Sequence, residues 1–160
     1  MYSSAMNKMV SDAVSETNEH VIRTRGHMAF SLLHAAQAVE KRLDEKLERV
    51  GLSLPKLGAL TKLVLAGESL PLSELAARLT CVRSNITQLV DRLETDGFVR
   101  REEDPKDRRA VRAVLTPLGQ ERQTAGAHLV DEVEEELKEM LSIVDREMFD
   151  RALRALAAWK

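Results

Sequence analysis

Residues 75–119 have the sequence LAARLTCVRSNITQLVDRLETDGFVRREEDPKDRRAVRAVLTPLG, and their pattern is the most specific in the chain. Its first half predicts a short helix, a turn of three or four residues and a second helix, which is the order of a helix-turn-helix. Its second half predicts two short strands around a charged turn. In a helix-turn-helix the second helix offers its N-terminal half to the major groove of DNA, so this order of elements favours a nucleic-acid-binding surface.

The second helix, predicted over residues 82–95, has distinct apolar and polar faces. Four apolar residues recur at the 3.6-residue helical period and predict the buried face: Ile86, Leu89, Val90 and Leu93. Polar side chains that can contact base edges or phosphates lie opposite this face or on its flanks: Ser84, Asn85, Thr87, Gln88, Asp91 and Arg92. A polar helix face is ordinarily only solvated, but the helix and turn that precede this one favour DNA contacts.

The predicted hairpin follows Gly97. FVRREE (98–103) and AVRAVL (110–115) have the β-branched content of short strands, and DPKDRR (104–109) supplies the turn residues. Arginines at such a tip can enter the adjacent minor groove, where the negative potential is deepest over narrow A·T tracts. Taken alone the turn is more simply explained as a solvated charged loop, but beside the helix pair a minor-groove contact is favoured.

Composition and charge fit one folded domain that contacts DNA on one side only. The chain has 160 residues, 44% of them hydrophobic and 31% charged, so we expect a single globular domain. No apolar run is long enough for a membrane span and no signal peptide is visible, so we expect a cytoplasmic protein without a membrane partner. Residues 78–112 hold nine basic and seven acidic side chains, whereas residues 113–160 hold six and ten. The net charge of −2 therefore conceals a basic middle segment.

Helices are predicted on both sides of this segment. The apolar spacing predicts a first helix over residues 28–50, ended by Gly51, and a second helix that Ser53 caps and Gly67 ends. A third helix is predicted over residues 72–80, and residues 1–27 form a weakly patterned arm.

Beyond the hairpin, Thr116 and Pro117 predict the start of a long helix. Its apolar seam is Val130, Val133, Leu137, Met140 and Val144, and Asp145 can start a last helix with apolar surface at Met148, Phe149, Leu153, Leu156 and Trp159. Packing within one chain is the ordinary explanation of such surfaces.

The segment resembles the winged helix-turn-helix of the multiple antibiotic resistance regulator (MarR) family. That family's pattern includes a helix ending in LVDRLE, a DGFVRR-like strand start and a wing of the form DPxDRRxxxxxLTxxG, matched here by LVDRLETDGFVRR (89–101) and DPKDRRAVRAVLTPLG (104–119). The resemblance implies a mainly α fold with a small β-hairpin wing and flanking dimerisation helices. It also implies a homodimeric regulator, usually a repressor, that releases a palindromic double-stranded DNA operator when a small molecule binds or a thiol is oxidised.

Carried over by position, the resemblance divides the chain into the arm 1–27 and one domain, 28–160. Residues 53–116 form its DNA-binding lobe, and residues 28–50 and 117–160 supply the dimerisation helices. Base contacts fall to Ser84, Asn85, Thr87 and Gln88, and phosphate contacts mainly to Arg83 and Arg92. The wing tip comprises Lys106, Asp107, Arg108 and Arg109, with arginine in the minor groove and Asp107 bracing it. Val82 departs from the pattern, because many relatives have a capping serine there.

The signal that controls binding is less specific in the sequence. Family ligand sites suggest Leu33, Ala36, Leu57 and Leu60 as pocket residues. His20, His27 and His34 raise a metal or pH sensor, but heptad spacing separates them by about 10 Å along a helix, so no metal or other cofactor is predicted. The single Cys81 excludes an internal disulfide. Its oxidation could displace the second helix, although a cysteine at an apolar position is usually inert.

Two other classes of protein fit the sequence less well. The chain has no nucleophile elbow, phosphate loop or zinc-hydrolase motif, and DEVEEELKE (131–139) has the spacing of solvated helix charge, so no enzyme activity is predicted. A protein-interaction module of the same fold without DNA affinity is the second alternative, and the intact DRR wing tip argues against it.

Overall fold

The computed structural model of the chain describes residues 28–67, 69–79, 86–105, 107 and 110–159. Several predicted features lie outside these residues: the arm 1–27 with His20 and His27, the turn residue Cys81, the contacts Arg83, Ser84 and Asn85, and the wing residues Lys106, Arg108 and Arg109. The described part is mainly α with one small sheet, as predicted.

The elements follow the predicted order along the chain. They are α1 (Met28–Leu47) with a 3-10 turn (Glu48–Val50), α2 (Leu54–Ala66), β1 (Leu70–Pro71), α3 (Leu72–Arg78), α4 (Ile86–Thr95), β2 (Val99–Glu103), β3 (Val111–Leu115), α5 (Pro117–Met140) and α6 (Arg146–Ala157). The third helix was predicted to reach Thr80, but α3 ends at Arg78 because Leu79 leaves the helical conformation. The described part of the fourth helix begins at Ile86.

The sheet is antiparallel and has the strand order β1-β3-β2. Val99 pairs with Leu115 and Glu103 with Val111, which gives the predicted hairpin. The strand β1, which pairs Leu70 with Ala113, was not predicted, since two residues including a proline carry no strand pattern. We call β2, β3 and residues 104–110 the wing.

The chain forms two compact units, Glu40–Val133 and a terminal unit of Met1–Val39 with Glu134–Lys160. The 40–133 unit contains more than the predicted lobe of residues 53–116, because the ends of α1 and α5 belong to it. Its core is built mainly from leucine, valine and alanine; its largest fully buried side chains are Leu47, Leu60, Leu63, Leu70, Leu75, Val90, Leu93 and Val99.

The helix ends of this unit use both predicted and unpredicted groups. Gly51 and Gly67 end their helices with φ of 71° and 66°, as predicted. Ser53 does not cap α2 with its side chain. Instead Asp44 Oδ1 accepts a hydrogen bond from the Leu54 N–H at 2.9 Å, so the cap comes from the preceding helix. The prediction for Ser53 was wrong because sequence patterns detect only local caps.

The helix α5 begins as predicted and packs very closely on the 40–133 core. Thr116 Oγ1 accepts from the Gly119 N–H at 3.0 Å. A Cβ atom at Gly119 would lie 2.0 Å from the carbonyl oxygen of Phe98, and one at Gly126 would lie 2.7 Å from Leu52 Cδ1. Gly119 and Gly126 are therefore needed for α5 to lie this close to Phe98 and Leu52. On the same helix Glu132 Oε2 lies 2.6 Å from Nζ of Lys46, a residue only 7% exposed.

In the terminal unit, α5 ends at Met140, so Val144 lies in the connection to α6 and does not continue the predicted seam. Asp145 starts α6 as predicted, since its carboxylate accepts from the Met148 N–H at 3.0 Å. A groove of about 470 Å³ lies between the end of α5 and α6, lined by Glu134, Leu137, Lys138, Leu141, Ser142, Val144, Arg146, Phe149, Asp150 and Leu153. None of the helices in the described part of the chain is both long and apolar enough to cross a membrane.

Candidate DNA interface

The exposed side of α4 carries three of the predicted DNA contacts. Thr87, Gln88 and Arg92 are exposed, while the apolar side of the helix is held in the core by Leu89 and Val90 and by the fully buried Leu93. The remaining predicted contacts of this helix precede Ile86 and are not among the described residues. The observed part of α4 is thus amphipathic in the predicted sense, with polar side chains available to a groove of DNA.

Arg101 of β2 ties the wing to α4. Its Nη1 atom lies 2.5 Å from Asp91 Oδ1 and 3.0 Å from Glu94 Oε2, and its Nη2 atom donates to the Thr87 carbonyl oxygen at 3.2 Å. Its backbone N–H also donates to Glu94 Oε1 at 3.0 Å. Thr87, Asp91 and Glu94 lie four and three residues apart on one side of the helix, so one arginine spans two helical turns.

This cluster changes the electrostatics expected of α4. The sequence placed Asp91 among the polar residues turned away from the core, where its carboxylate would repel DNA phosphates. In the structure the guanidinium of Arg101 lies at contact distance from both Asp91 and Glu94, so its single positive charge offsets one of their two negative charges. Hydrogen bonds between charged partners are among the strongest in proteins, so the same contacts also fix the angle between helix and wing. The exposed side of α4 beside this cluster carries the neutral Gln88 and the cationic Arg92.

A second arginine, Arg112 of β3, fixes the loop end of the hairpin, where it pairs with Glu102. Its Nη1 atom lies 2.8 Å from Asp104 Oδ2, its Nε atom donates to Ser69 Oγ at 2.8 Å, and its Nη2 atom donates to the Ser69 carbonyl oxygen. Asp104 is only 8% exposed, and its Oδ1 atom accepts from the Asp107 backbone N–H at 3.3 Å. Asp107 itself is exposed; its predicted role as a brace for the arginines of the tip stays a prediction, because Arg108 and Arg109 are not described.

The C-terminal end of α4 is held by α2. Lys56 Nζ lies 2.7 Å from Asp96 Oδ2, immediately after the last residue of the helix. Gly97 has a φ of 75°, and the Phe98 N–H donates back to the Leu93 carbonyl oxygen at 2.8 Å. This reversal leads directly into β2. The helix α4, which is the recognition helix of the helix-turn-helix, is therefore joined to the wing by a tight, hydrogen-bonded turn as well as by Arg101.

The predicted effector-site residues have different environments. Leu33 and Ala36 are exposed on α1 in the terminal unit. Leu60 is fully buried and Leu57 is 8% exposed, both as core members of the 40–133 unit. His34 is exposed, and no cluster of three His, Cys, Asp or Glu side chains that could hold a metal ion occurs within the described ranges.

Three residues of this interface were missed from the sequence: Arg101, Asp104 and Arg112. A signal for Arg101 was present, because alternate residues of a strand share a face and Val99 of the same strand is buried. An arginine on the inner face needs an acidic partner, and Asp91 and Glu94 were available nearby. No comparable signal existed for Arg112, since its partner Ser69 precedes the unpredicted strand β1.

Comparison with known proteins adds a family to this geometry. The MarR family model matches residues 52–111. The HTH-type transcriptional regulator YsmB of Bacillus subtilis is 30% identical over 133 residues, which are 79% of this chain and 86% of that protein. The HTH-type transcriptional repressor MdtR of the same organism is 34% identical over 90 residues, 56% of this chain and 57% of the repressor. The match to the HTH-type transcriptional regulator YkoM of the same organism covers 50 residues, which are 32% of that protein.

A solved structure shows the same fold on DNA. Sco3205, a MarR family transcriptional regulator from Streptomyces coelicolor crystallised in complex with DNA, is 29% identical and superposes with a TM-score of 0.65 over 79% of this chain and 81% of that one. The helix pair, the recognition helix tied to its wing and the similarity along most of the chain lead to one assignment. The protein belongs to the MarR family and is a winged helix-turn-helix transcriptional regulator rather than an enzyme.

Proposed function

We propose that the protein is a homodimeric repressor that binds a palindromic operator and leaves it when a small molecule binds. The observation that carries the proposal is the exposed polar side of α4, fixed to the wing by Arg101. Because α4 is held at a fixed angle to the wing, the two elements can enter neighbouring grooves of DNA at the same time. The DNA complex of the related Sco3205 supports this use of the fold.

The proposed division of labour follows the chemistry of the side chains. Hydroxyl and amide groups can bond to base edges, so we assign base contacts to Ser84, Asn85, Thr87 and Gln88. Guanidinium groups near the helix ends suit phosphates, so we assign phosphate contacts to Arg83 and Arg92. At the wing tip, Arg108 and Arg109 enter the minor groove beside Lys106, and Asp107 braces them.

Dimerisation is supported by the apolar side of α6. Phe149, Leu153 and Leu156 recur at four- and three-residue steps and are 37%, 45% and 39% exposed, although they form one apolar stripe. Two copies joined through such helices can set two recognition helices about 34 Å apart, the spacing of successive major-groove faces. The groove between α5 and α6 includes Phe149 and Leu153, so we assign it to the contact between subunits.

Repression and its relief are the remaining parts of the proposal. A dimer that covers an operator excludes other proteins from it, and the name of the relative MdtR describes a repressor. The effector-site residues that the family resemblance suggests, Leu33 and Ala36 on α1 and Leu57 and Leu60 on α2, stay a prediction. A ligand that binds the DNA-free conformation more tightly than the DNA-bound one lowers operator affinity by the same factor.

A gel-shift assay on the DNA upstream of the protein's own gene tests the proposal. We expect steeply salt-sensitive binding at two salt concentrations, because phosphate contacts release counterions. Arg109→Ala should weaken binding, and Gln88→Ala should relax the sequence preference with less effect on non-specific affinity. Absent or salt-independent binding would overturn the proposal and favour a protein-interaction module.

A further inference from the structure

The loop end of the hairpin contains a polar cluster that the helix-turn-helix plan does not require. The cluster consists of Ser69, Asp104 and Arg112, and it links three places in the chain: the residue before β1, the end of the wing's first strand, and the second residue of its other strand. The side chains of Arg112 and Asp104 are 20% and 10% exposed, so both charges are largely withdrawn from water. Withdrawn charges are stable only when partners replace the lost hydration.

The contacts of the cluster run in one direction, from the core toward the wing tip. Arg112 bonds to Ser69 through Nε and Nη2, so its guanidinium is anchored outside the hairpin. Its third contact, from Nη1 at 2.8 Å, holds Asp104 Oδ2. The second carboxylate oxygen of Asp104 accepts from the Asp107 backbone N–H at 3.3 Å, inside the tip. One carboxylate thus connects the anchored arginine to the backbone of the turn.

The hairpin by itself does not supply this connection. Its ladder joins β2 to β3, and the Asp104 N–H donates to the Ala110 carbonyl oxygen at 3.0 Å to close the loop. These bonds set the shape of the wing but leave its direction relative to the recognition helix to other contacts. Arg101 fixes that direction on the side of α4, and on the side of β1 the short β1–β3 ladder and the Ser69 contacts fix it together.

We propose that Asp104 and Arg112 are positioning residues for DNA binding, which hold the wing tip at the angle that its minor-groove contact needs. The inference rests on the proposed function, since it assumes that the wing tip meets DNA. Neither residue has to touch DNA. Loss of the contact between Asp104 and Arg112 lets the wing tip sample other directions, so that the arginines of the tip contribute less to the affinity for DNA.

A double-mutant cycle measures this coupling. Arg109→Ala should weaken operator binding about tenfold in the wild type but only about twofold in an Arg112→Gln background, because the contact is already misplaced there. Arg112→Lys should lie between the two, since lysine keeps the charge opposite Asp104 but cannot also reach Ser69. Arg100→Gln is the matched control. It removes one positive charge from the same hairpin, where Arg100 Nη1 lies 2.5 Å from Glu102 Oε1 within β2, and the Arg109→Ala effect should remain about tenfold.

Each outcome decides between the two proposals. Equal effects of Arg109→Ala in the wild-type and Arg112→Gln backgrounds would overturn the positioning role while leaving the DNA-binding function intact. A wild type that does not bind, or that ignores Arg109→Ala, would count against the proposed wing contact and the inference together. If thermal melting shows Arg112→Gln to be unfolded, Asp104→Asn replaces it, because that variant keeps the side-chain shape and removes only the charge that holds Arg112.

Discussion

At Gly119 a missing side chain decides how closely α5 can approach the turn before β2. The Phe98 carbonyl oxygen occupies the place of a Cβ atom, and the Leu115 side chain closes the other side at 3.0 Å. The Phe98 carbonyl also accepts from Thr116, so it cannot move without breaking the start of α5. The wing and the long helix therefore share one rigid junction.

We expect Gly119→Ala to destabilise the fold by about 1–3 kcal/mol, the usual cost of forcing an atom into a packed site. Gly58→Ala is the matched control in α2. A Cβ atom there would meet only Leu79 Cδ2 at 3.6 Å, so better helix propensity should leave stability unchanged or raise it by up to about 1 kcal/mol. Urea unfolding of both variants checks the opposite signs. Equal stability of Gly119→Ala and the wild type would contradict the claim that no side chain fits between α5 and Phe98.

Arg101 gives a second prediction at the scale of a residue. Arg101→Gln should lower operator affinity about ten- to one-hundredfold, because it unpairs Asp91 and Glu94 beside the DNA surface and loosens α4 from the wing. Arg100→Gln, with a 63% exposed side chain paired to Glu102, should lower affinity by about threefold or less. Fluorescence anisotropy with labelled operator DNA compares the two. Similar losses for both variants would mean that only the net charge of the wing matters.

Sequence patterns that extend over many residues predicted the helices and the hairpin well. A two-residue strand and a contact between distant residues were not predicted. Apolar spacing, apolar runs and helix-end residues located the long helices, and β-branched residues around DPKDRR located the hairpin, because these patterns extend over several residues. The strand β1 was missed and the seam through Val144 was wrong, since a two-residue strand has no period and a helix end depends on packing. Arg112 and Ser69 are 43 residues apart, so no local pattern could join them.

The cap of α2 gives a prediction about the stability of the fold. Asp44→Ala should cost about 1 kcal/mol and lower Tm by about 2–4 °C, because the Leu54 N–H loses its acceptor. Ser53→Ala should change stability by less than about 0.5 kcal/mol, since its hydroxyl makes no cap bond. Differential scanning calorimetry measures both. The reverse order of effects would restore Ser53 as the cap.

For the molecule as a whole, the proposed palindromic operator would require two copies of the chain to bind together. Leu153→Glu places a charge in the apolar stripe of α6 and should convert the proposed dimer to a monomer, with a loss of at least about tenfold in operator affinity. Leu65→Glu is the matched control, because Leu65 of α2 is 73% exposed outside that stripe. Sedimentation equilibrium and anisotropy report mass and affinity. A dimeric Leu153→Glu variant would place the subunit contact elsewhere.

The position of Trp159 has a spectroscopic consequence. It is the one tryptophan of the sequence, it lies just beyond the end of α6, and it is 83% exposed in the single chain. The intrinsic emission of the protein excited at the red edge of its absorption therefore comes from the end of α6 alone, without any label. A monomer should emit like indole in water, and a subunit contact that covers this end should move the emission to shorter wavelength and shield it from iodide. The intrinsic fluorescence of Trp159 can thus report the dissociation of subunits when the unmodified protein is diluted.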